Sequence, residues 1–360
     1  MSNRIIRLKK FWKNKKIFIT GHTGFKGSWL TIFFHLLGAK VYGYSLKQKK
    51  LSLYNIAHLD KLITKSVIGD IRDYSKMKKT IQKSSPDFLI HMAAQPLVRF
   101  SYDHPKYTYE VNTIGTLNIL NILYELKFIK NALIVTTDKV YKNINKKKYF
   151  KEDDELGGYD PYSNSKACAE LISKSYYNSF LSKIKISCVT ARAGNVVGGG
   201  DFATNRIIPD FFRALENNKK LILRYPNAIR PWQHVIEPLY GYLLLLMYIG
   251  KKKNSINGAW NFGPKNSNNL KVKKIISILN NSMENPIKIY ERYNKKNNYK
   301  ESDILKLSSE KSKKTLKWKP KYNINQSIKF ISEWHKAYKK NKKNILNFTQ
   351  KQILDYINQY

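Results

Sequence analysis

Lys16-Ile17-Phe18-Ile19-Thr20-Gly21-His22-Thr23-Gly24-Phe25-Lys26-Gly27 runs an apolar strand directly into a glycine-spaced turn, and Ser28–Leu37 follows with the pattern of a helix. In a strand–turn–helix setting each glycine has a task. Gly21 permits the tight turn, Gly24 lets backbone approach a pyrophosphate, and Gly27 allows the helix to pack closely on the strand. The helix N-terminus then faces phosphate. A phosphate loop of the P-loop kind needs Gly-Lys-Ser/Thr in that order; here Lys26 precedes Gly27 and Ser28, so that reading fails. The stretch reads as a dinucleotide site.

The pattern extends outward on both sides. Val41–Tyr44 and Thr64–Ile68 read as the second and third strands, Phe88–Met92 as the fourth, Ala132–Thr136 as the fifth and Ile186–Thr190 as the sixth, with a long helix near 105–127. Strands alternating with helices predict an α/β fold, a Rossmann-type doubly wound parallel sheet. Beyond about residue 195 the alternation loosens into helices near 206–217, 237–250, 270–283 and 326–340, short strands, and Lys/Asn stretches at 143–148, 217–220, 251–254 and 294–300 that read as loops. The expected division is a nucleotide-binding domain with the catalytic residues at 11–195. A smaller mixed α/β, mainly substrate-binding part follows at 196–345, its elements free to interleave with the first.

Composition limits the function classes. The chain has 360 residues, 42% of them hydrophobic, enough for a substantial core. Cys168 and Cys188 are too few for a disulfide framework and lack metal-ligand spacing, which fits a reducing cytoplasm. The basic N-terminal stretch has no apolar core or cleavage site of a signal peptide, and the longest apolar run, 240–249, is too short for a bilayer. A net charge of +41 invites a polyanion partner, but the lysines are spread along the chain, with no helix-turn-helix, zinc or RNA-binding signature. The expectation is no nucleic acid, no membrane and no metal.

Chemistry concentrates at Thr136-Thr137-Asp138-Lys139 and at Tyr162-Ser163-Asn164-Ser165-Lys166. Tyr-x-x-x-Lys sets a phenol and an ammonium one helical turn apart, where the cation favours phenolate. A phenolate beside a nicotinamide takes a proton from an alcohol as hydride leaves. The adjacent acid and base, Asp138 and Lys139, supply proton transfers that simple alcohol oxidation does not need, so oxidation serves a dehydration. Alone, Asp138-Lys139 also reads as a surface ion pair, and Tyr-x-x-x-Lys arises by chance among 25 tyrosines; their order and their place after the fifth strand give them weight. After the second strand, Tyr44-Ser45-Leu46-Lys47 carries no acid for the ribose hydroxyls, which leaves NAD against NADP open. Asp70-Ile71, after the third strand, is well placed for an adenine edge, with an acidic turn as the lesser reading.

With the glycine turn, Asp70-Ile71, His91-Met92-Ala93-Ala94-Gln95 and Tyr-x-x-x-Lys in this order, the chain resembles the extended short-chain dehydrogenase/reductases. Within them it is most similar to the CDP-glucose 4,6-dehydratase branch. The resemblance covers residues 11–340 and is carried by Gly24–Leu30, Ala94–Arg99, Thr137–Tyr141, Arg192–Asp201, Arg230–Val235, Trp260–Pro264 and Leu316–Pro320. Dehydratases acting on dTDP- and GDP-sugars usually have Asp-Glu where this chain has Asp138-Lys139. The resemblance implies NAD as cofactor, CDP-glucose as substrate, a homodimer or homotetramer, and conversion to a 4-dehydro-6-deoxy sugar. It also implies Thr137, Asp138, Lys139, Tyr162 and Lys166 as catalytic residues. Gly21, Thr23, Gly24, Phe25, Gly27, Asp70, Ile71, Ala93, Ala94, Gln95 and Asn112, with Tyr162 and Lys166, would bind the cofactor. For the diphosphate, Arg230 is the first choice because its fork matches phosphate, with Asn195 and Arg206 next. Arg192 reads as either a structural or a cofactor-side residue, and His234 as structural or phosphate-side. Another dehydratase or an epimerase of the same scaffold remains the alternative, and a non-catalytic nucleotide- or RNA-binding protein the more distant one.

Overall fold

The computed structural model describes residues 2–48, 50–143, 148–252, 254–292 and 304–360. Seven strands form one parallel sheet: β1 (Lys16–Thr20), β2 (Lys40–Ser45), β3 (Lys65–Ile68), β4 (Phe88–His91), β5 (Asn131–Val135), β6 (Ser187–Ala193) and β7 (Asn257–Phe262). Their spatial order is β7-β6-β5-β4-β1-β2-β3. The chain winds one way from β1 to β3 and the other way from β4 onward, so β1 and β4 bound the switch point where ligands of such sheets bind.

Side-chain alternation along the strands divides the core in two. Ile17, Ile19, Phe88, Ile90, Leu133 and Val135 point to one face, Phe18, Leu89, Ala132 and Ile134 to the other. The first face is covered by α1 (Asn3–Trp12), α2 (Phe25–Leu36) and, later in the chain, α6 (Ile236–Gly250) and α9 (Ile345–Asn358). The second takes α3 (Gly115–Leu126) and part of α4 (Pro161–Tyr176). A separate cluster holds the C-terminal part together: Phe211 and Phe212 of α5 (Ile207–Glu216), Ile275 and Leu279 of α7 (Val272–Asn281), and Ile328 and Ile331 of α8 (Ile324–Lys340), with Trp232.

Most expected elements lie within a few residues of their observed bounds. The long helix near 105–127 is broken by a wide turn at Glu110–Ile114 before α3. The seventh strand, α1 and α9 were not expected. α1 was read only as a basic N-terminal stretch, yet Ile5, Leu8 and Trp12 form a buried stripe along it. The loop read at 217–220 lies between α5 and the short strand Leu221–Leu223; of the other Lys/Asn stretches, 294–300, 144–147 and 253 lie outside the described residues. Among the described residues no helix is long and apolar enough to cross a membrane.

The glycine turn is as tight as its sequence implies. Gly21 has φ +76°, and a Cβ there would stand 2.8 Å from the Ala93 nitrogen. At Gly27 a Cβ would meet the Gly21 carbonyl oxygen at 2.1 Å. Gly27→Ala is therefore expected to push α2 off the turn, costing about 1–3 kcal/mol in urea unfolding and weakening dinucleotide affinity in a fluorescence titration.

Candidate active site

A cleft of ≈ 740 Å³ opens at the carboxyl ends of the strands. Its walls include Gly21, Thr23, Gly24, Phe25 and Gly27, then Asp70 and Ile71, Ala93 and Ala94, Thr137–Lys139, Tyr162 and Lys166, and finally Asn195, Arg206 and Arg230. Two expected cofactor residues, Gln95 and Asn112, stand behind the wall. Asn112 Oδ1 accepts from the Gln95 amide at 2.9 Å, and its Nδ2 donates to the Gln95 carbonyl and to Ser165 Oγ, both at 3.0 Å. They tie the loop after β4 to α4 and so position the cleft.

Local structure explains the placement of each functional group. Thr20 Oγ1 accepts the amides of Met92 and Ala93 and pairs with His91 Nδ1 at 2.8 Å, which sets the loop after β4. Asp160 caps α4 by accepting from the Ser163 amide at 2.9 Å, with Pro161 at the first helical position. The helix then presents Tyr162, Lys166 and Glu170 at four-residue intervals on one face. Lys166 Nζ donates to the Val135 carbonyl at the end of β5, 3.0 Å away. Glu170 accepts from Thr136 and Thr190 hydroxyls at 2.5 and 2.6 Å, and from Arg192 at 3.0 and 2.9 Å. Arg192 goes on to donate to Tyr141 OH at 2.9 Å. It is a structural residue: buried, paired, and one layer behind the strand end that carries Thr137 and Asp138.

The electrostatics of the cleft are set by burial. The Asp138 carboxyl is pushed up to about 6 by desolvation, against the pull of Lys139, Thr137 and Arg230. Its Oδ1 accepts from the Thr137 hydroxyl at 3.1 Å, while Oδ2 is buried without a partner. Such a group favours the protonated acid. Burial brings the Lys166 ammonium down to about 8, with Glu170 opposing. Tyr162 departs from expectation: desolvation raises its phenol to about 12, and the groups that favour phenolate are Thr137 and Arg206, not Lys166. The Lys166 amine is spent on the Val135 carbonyl, and the buried phenol needs more positive charge beside it than the chain alone supplies.

The substrate-side residues are held as well. Arg230 lies in the short strand Ile229–Pro231, is buried, and donates to the Ile229 carbonyl at 3.0 Å. Arg206 pairs with Asp201 at 2.9 Å, and Asn195 gives its carbonyl to the Gln233 amide at 3.0 Å. Asp70 lines the cleft with its carboxylate gripped by Arg72 at 2.8 Å, which holds it below the usual range. The wall after β2 offers Ser45, Leu46 and Gln48, and Lys47 is not part of it. His234 is buried against Trp29 and Tyr322, outside the wall, and kept neutral by burial. Among the described residues no cluster of His, Cys, Asp and Glu is arranged to hold a metal ion.

Sequence reading missed Lys26, Tyr242, Arg99 and Arg224. Lys26, Arg99 and Arg224 line the cleft, and Lys26 Nζ donates to Tyr242 OH at 3.1 Å. Lys26 lies inside the glycine turn, where its sequence reading concerns the P-loop pattern and the family resemblance and not a role in the cleft. Tyr242 sits inside an apolar run with nothing to single it out.

A family model described as GDP-mannose 4,6 dehydratase matches residues 18–331, which takes in the glycine turn, Thr137–Lys139, Tyr162, Lys166 and most of the C-terminal part. The chain belongs to this dehydratase family. Within the family's reach, the chain is 39% identical to the CDP-glucose 4,6-dehydratase of Salmonella typhimurium over 355 residues, 97% of this chain and 98% of that protein. In structure it is similar to an epimerase from Methanothermobacter thermautotrophicus (TM-score 0.79, 23% identity, 94% of this chain and 97% of that one). It is also similar to the dTDP-glucose 4,6-dehydratase of Bacillus anthracis solved with NAD (TM-score 0.73, 23% identity, 91% and 98%). At such identity the two structures establish the shared fold.

Two outcomes test this dehydratase site. Arg192→Met leaves Glu170 buried and unpaired, so a loss of about 3–5 kcal/mol is expected in urea unfolding. For Asp138, the folded protein keeps the proton to about pH 6 and the unfolded chain only to about 3.8. Folding therefore takes up a proton between these values. The cost of the buried carboxylate is absent below the lower one and complete above the higher. Asp138→Asn should gain stability relative to the parent as pH rises through that window, up to roughly 3 kcal/mol, and gain none below it.

Proposed function

We propose that the protein is an NAD-dependent CDP-glucose 4,6-dehydratase, converting CDP-glucose to CDP-4-dehydro-6-deoxy-glucose and water. The observation that carries the reading is the gathering of Thr137, Asp138, Lys139, Tyr162 and Lys166 on one wall of a cleft that begins at a dinucleotide turn. The near full-length likeness to the Salmonella enzyme supports the nucleotide. The chain's residues fit the cofactor: the backbone at Gly21, Gly24 and Gly27 leaves a cradle that a Cβ would fill, and α2 points its N-terminus into it. Thr23, Phe25, Ala93 and Ala94 would flank the dinucleotide. When bound, NAD would supply the hydride acceptor for C4 of the glucose and the hydride donor for C6, so the overall reaction would have no net redox change.

The protein's groups handle the protons. Tyr162 takes the C4 hydroxyl proton, with Thr137 hydrogen-bonding the same oxygen and Lys166 holding the helix face against β5. The ketone acidifies C5. Lys139 removes the C5 proton, and protonated Asp138 gives its proton to the departing C6 hydroxyl, which leaves as water. Lys139 then returns a proton to C5. Arg230 and Arg206, together with Asn195, are the groups for the diphosphate. An epimerase needs Tyr162 and Lys166 but has no use for the Asp138–Lys139 pair, so this pair favours dehydration. We further expect a homodimer or homotetramer, to be read by light scattering.

The test is a panel of CDP-glucose, dTDP-glucose, UDP-glucose and GDP-mannose, with and without added NAD, followed by mass spectrometry. Loss of one water from CDP-glucose alone is expected; loss from a different sugar nucleotide would keep the chemistry and correct the substrate. Lys139→Ala should still oxidise C4, seen as reduced-cofactor fluorescence, while dehydration falls about a hundredfold or more. Normal turnover by that variant would refute the role given to Lys139.

A further inference from the structure

β1 and β4 lie side by side, and their last residues, Thr20 and His91, pair in register at the switch point. From them a line of buried polar side chains runs to α4. Thr20 Oγ1 accepts the Ala93 amide at 3.2 Å and shares the Met92 amide, at 3.1 Å, with the Thr20 carbonyl. The same hydroxyl lies 2.8 Å from His91 Nδ1. His91 Nε2 is 3.2 Å from Thr116 Oγ1, whose hydroxyl donates to the Asn112 carbonyl at 2.7 Å. The Asn112 side chain donates to Ser165 Oγ at 3.0 Å, and Ser165 donates to the Tyr162 carbonyl at 2.8 Å. Thr20, Thr116, Asn112 and Ser165 are 0% exposed and His91 is 1% exposed, so bulk solvent does not reach these bonds.

The hydrogens on this line can be placed from both ends. The Thr116 hydroxyl has one proton, and it is committed to a carbonyl that only accepts. Toward His91 the same oxygen can only accept, so Nε2 carries a hydrogen. At the other end two amides point at the lone pairs of Thr20 Oγ1, which leaves its own proton for Nδ1. Both ends demand the same neutral tautomer. An imidazolium would aim a third N–H at Thr20 Oγ1, and burial, helped by the Lys166 charge, brings the ring down to about 3. Every hydrogen bond then points the same way, from the loop after β4 towards α4, an order in which each bond polarises the next.

We infer that His91, as the neutral imidazole with its hydrogen on Nε2, is a positioning residue that couples the loop at Met92–Ala93 to the helix carrying Tyr162 and Lys166. The inference rests on the proposed reading for what these two walls of the cleft do. His91 stands outside the wall and acts through Thr20 on one side and through Thr116 and Asn112 on the other. The opposite tautomer would aim its Nδ1 hydrogen at Thr20 and displace the amides that hold Met92 and Ala93. The hydrogen on Nε2 thus keeps the loop in place, and Thr116 keeps the hydrogen on Nε2.

The first readout needs no substrate. Heteronuclear NMR of histidine-labelled protein, with His91 assigned through its backbone neighbours, should show a bare Nδ1 and a protonated Nε2 at neutral pH. A hydrogen on Nδ1, alone or as imidazolium, overturns the inference. The second readout compares Thr116→Val and Thr116→Ser with the parent. Valine keeps the shape but removes the acceptor, so the Nε2–H tautomer should give way in part to Nδ1–H. NAD affinity, read by fluorescence titration without sugar nucleotide, should fall about tenfold. At saturating NAD, kcat for CDP-glucose should also fall about tenfold with KM unchanged. Serine should restore the tautomer, the affinity and kcat. A Thr116→Val protein that loses stability but keeps the parent's tautomer, NAD affinity and kcat would reduce the line to packing, and the inference would fall. Should Thr116→Val not fold, the parent spectrum decides alone. An enzyme inert to CDP-glucose that shows the tautomer and the weakened NAD binding defeats the substrate reading and supports the coupling.

Discussion

The ion pair between Glu170 and Arg192 is the constraint on which the rest of the site depends. Both side chains are buried, and removing two charges from water is costly unless every lone pair and proton finds a partner. Both Glu170 oxygens accept two hydrogen bonds each, and Arg192 Nη1 donates to Tyr141 and the Glu152 carbonyl. The partners come from β5's end, from β6 and from α4, so the pair fixes three elements relative to one another. Thr136, bonded to Glu170, immediately precedes Thr137 and Asp138, whose side chains must be placed to within fractions of an ångström for proton transfer. Tyr141, bonded to Arg192 and to Asn261 of β7 at 2.7 Å, holds the other end of the same loop. A hydrophobic replacement of equal volume would fill the space and lose the directional grip on the loop.

The cleft itself is built from competing charges. Asp138 is surrounded by Lys26, Lys139 and Arg230, yet its carboxyl still rises, because desolvation outweighs the attraction. The amines respond in the opposite direction: Lys26 and Lys166 are both brought toward neutrality by burial, and Lys26 by its cationic neighbours as well. A site with an acid displaced upward and amines displaced downward exchanges protons at modest cost near neutral pH. A diphosphate held by Arg206 and Arg230, as proposed, would add negative charge and relieve the mutual repulsion of the cations, linking substrate binding to protonation state. The overall charge of +41 is a different matter. It belongs to lysines spread along the chain, whereas the cations of the site are a handful fixed by packing.

The fold was largely legible because its signals are local. Strand, turn and helix lie contiguous at 16–37, and alternation of apolar runs gives the sheet through β6. β7 was not legible: Asn257-Gly258-Ala259-Trp260-Asn261-Phe262 is neither continuously apolar nor cleanly alternating, and its strand state comes from pairing with β6, far away in sequence. α1 was obscured by lysines on its outer face, although Ile5, Leu8 and Trp12 keep helical spacing. In the site, motif residues were found because their spacing is their meaning. Glu170 was missed even though it continues the Tyr162–Lys166 interval by one more turn, since its partners arrive from strands that sequence spacing does not reveal. The order of effects on Tyr162 was also hidden, because desolvation depends on what surrounds the phenol and not on which residue lies four positions on.

A dehydratase must separate what an oxidoreductase combines. In simple alcohol oxidation one proton leaves with one hydride, and a single phenol suffices. Elimination adds a base for C5 and an acid for the C6 oxygen, and these must differ in protonation while lying side by side. In the proposed assignment Asp138 is the acid: its carboxyl is buried, with one oxygen unpartnered, and Lys139 lines the same wall of the cleft. Burial alone makes the acid hold its proton at a pH where an exposed aspartate would have lost it.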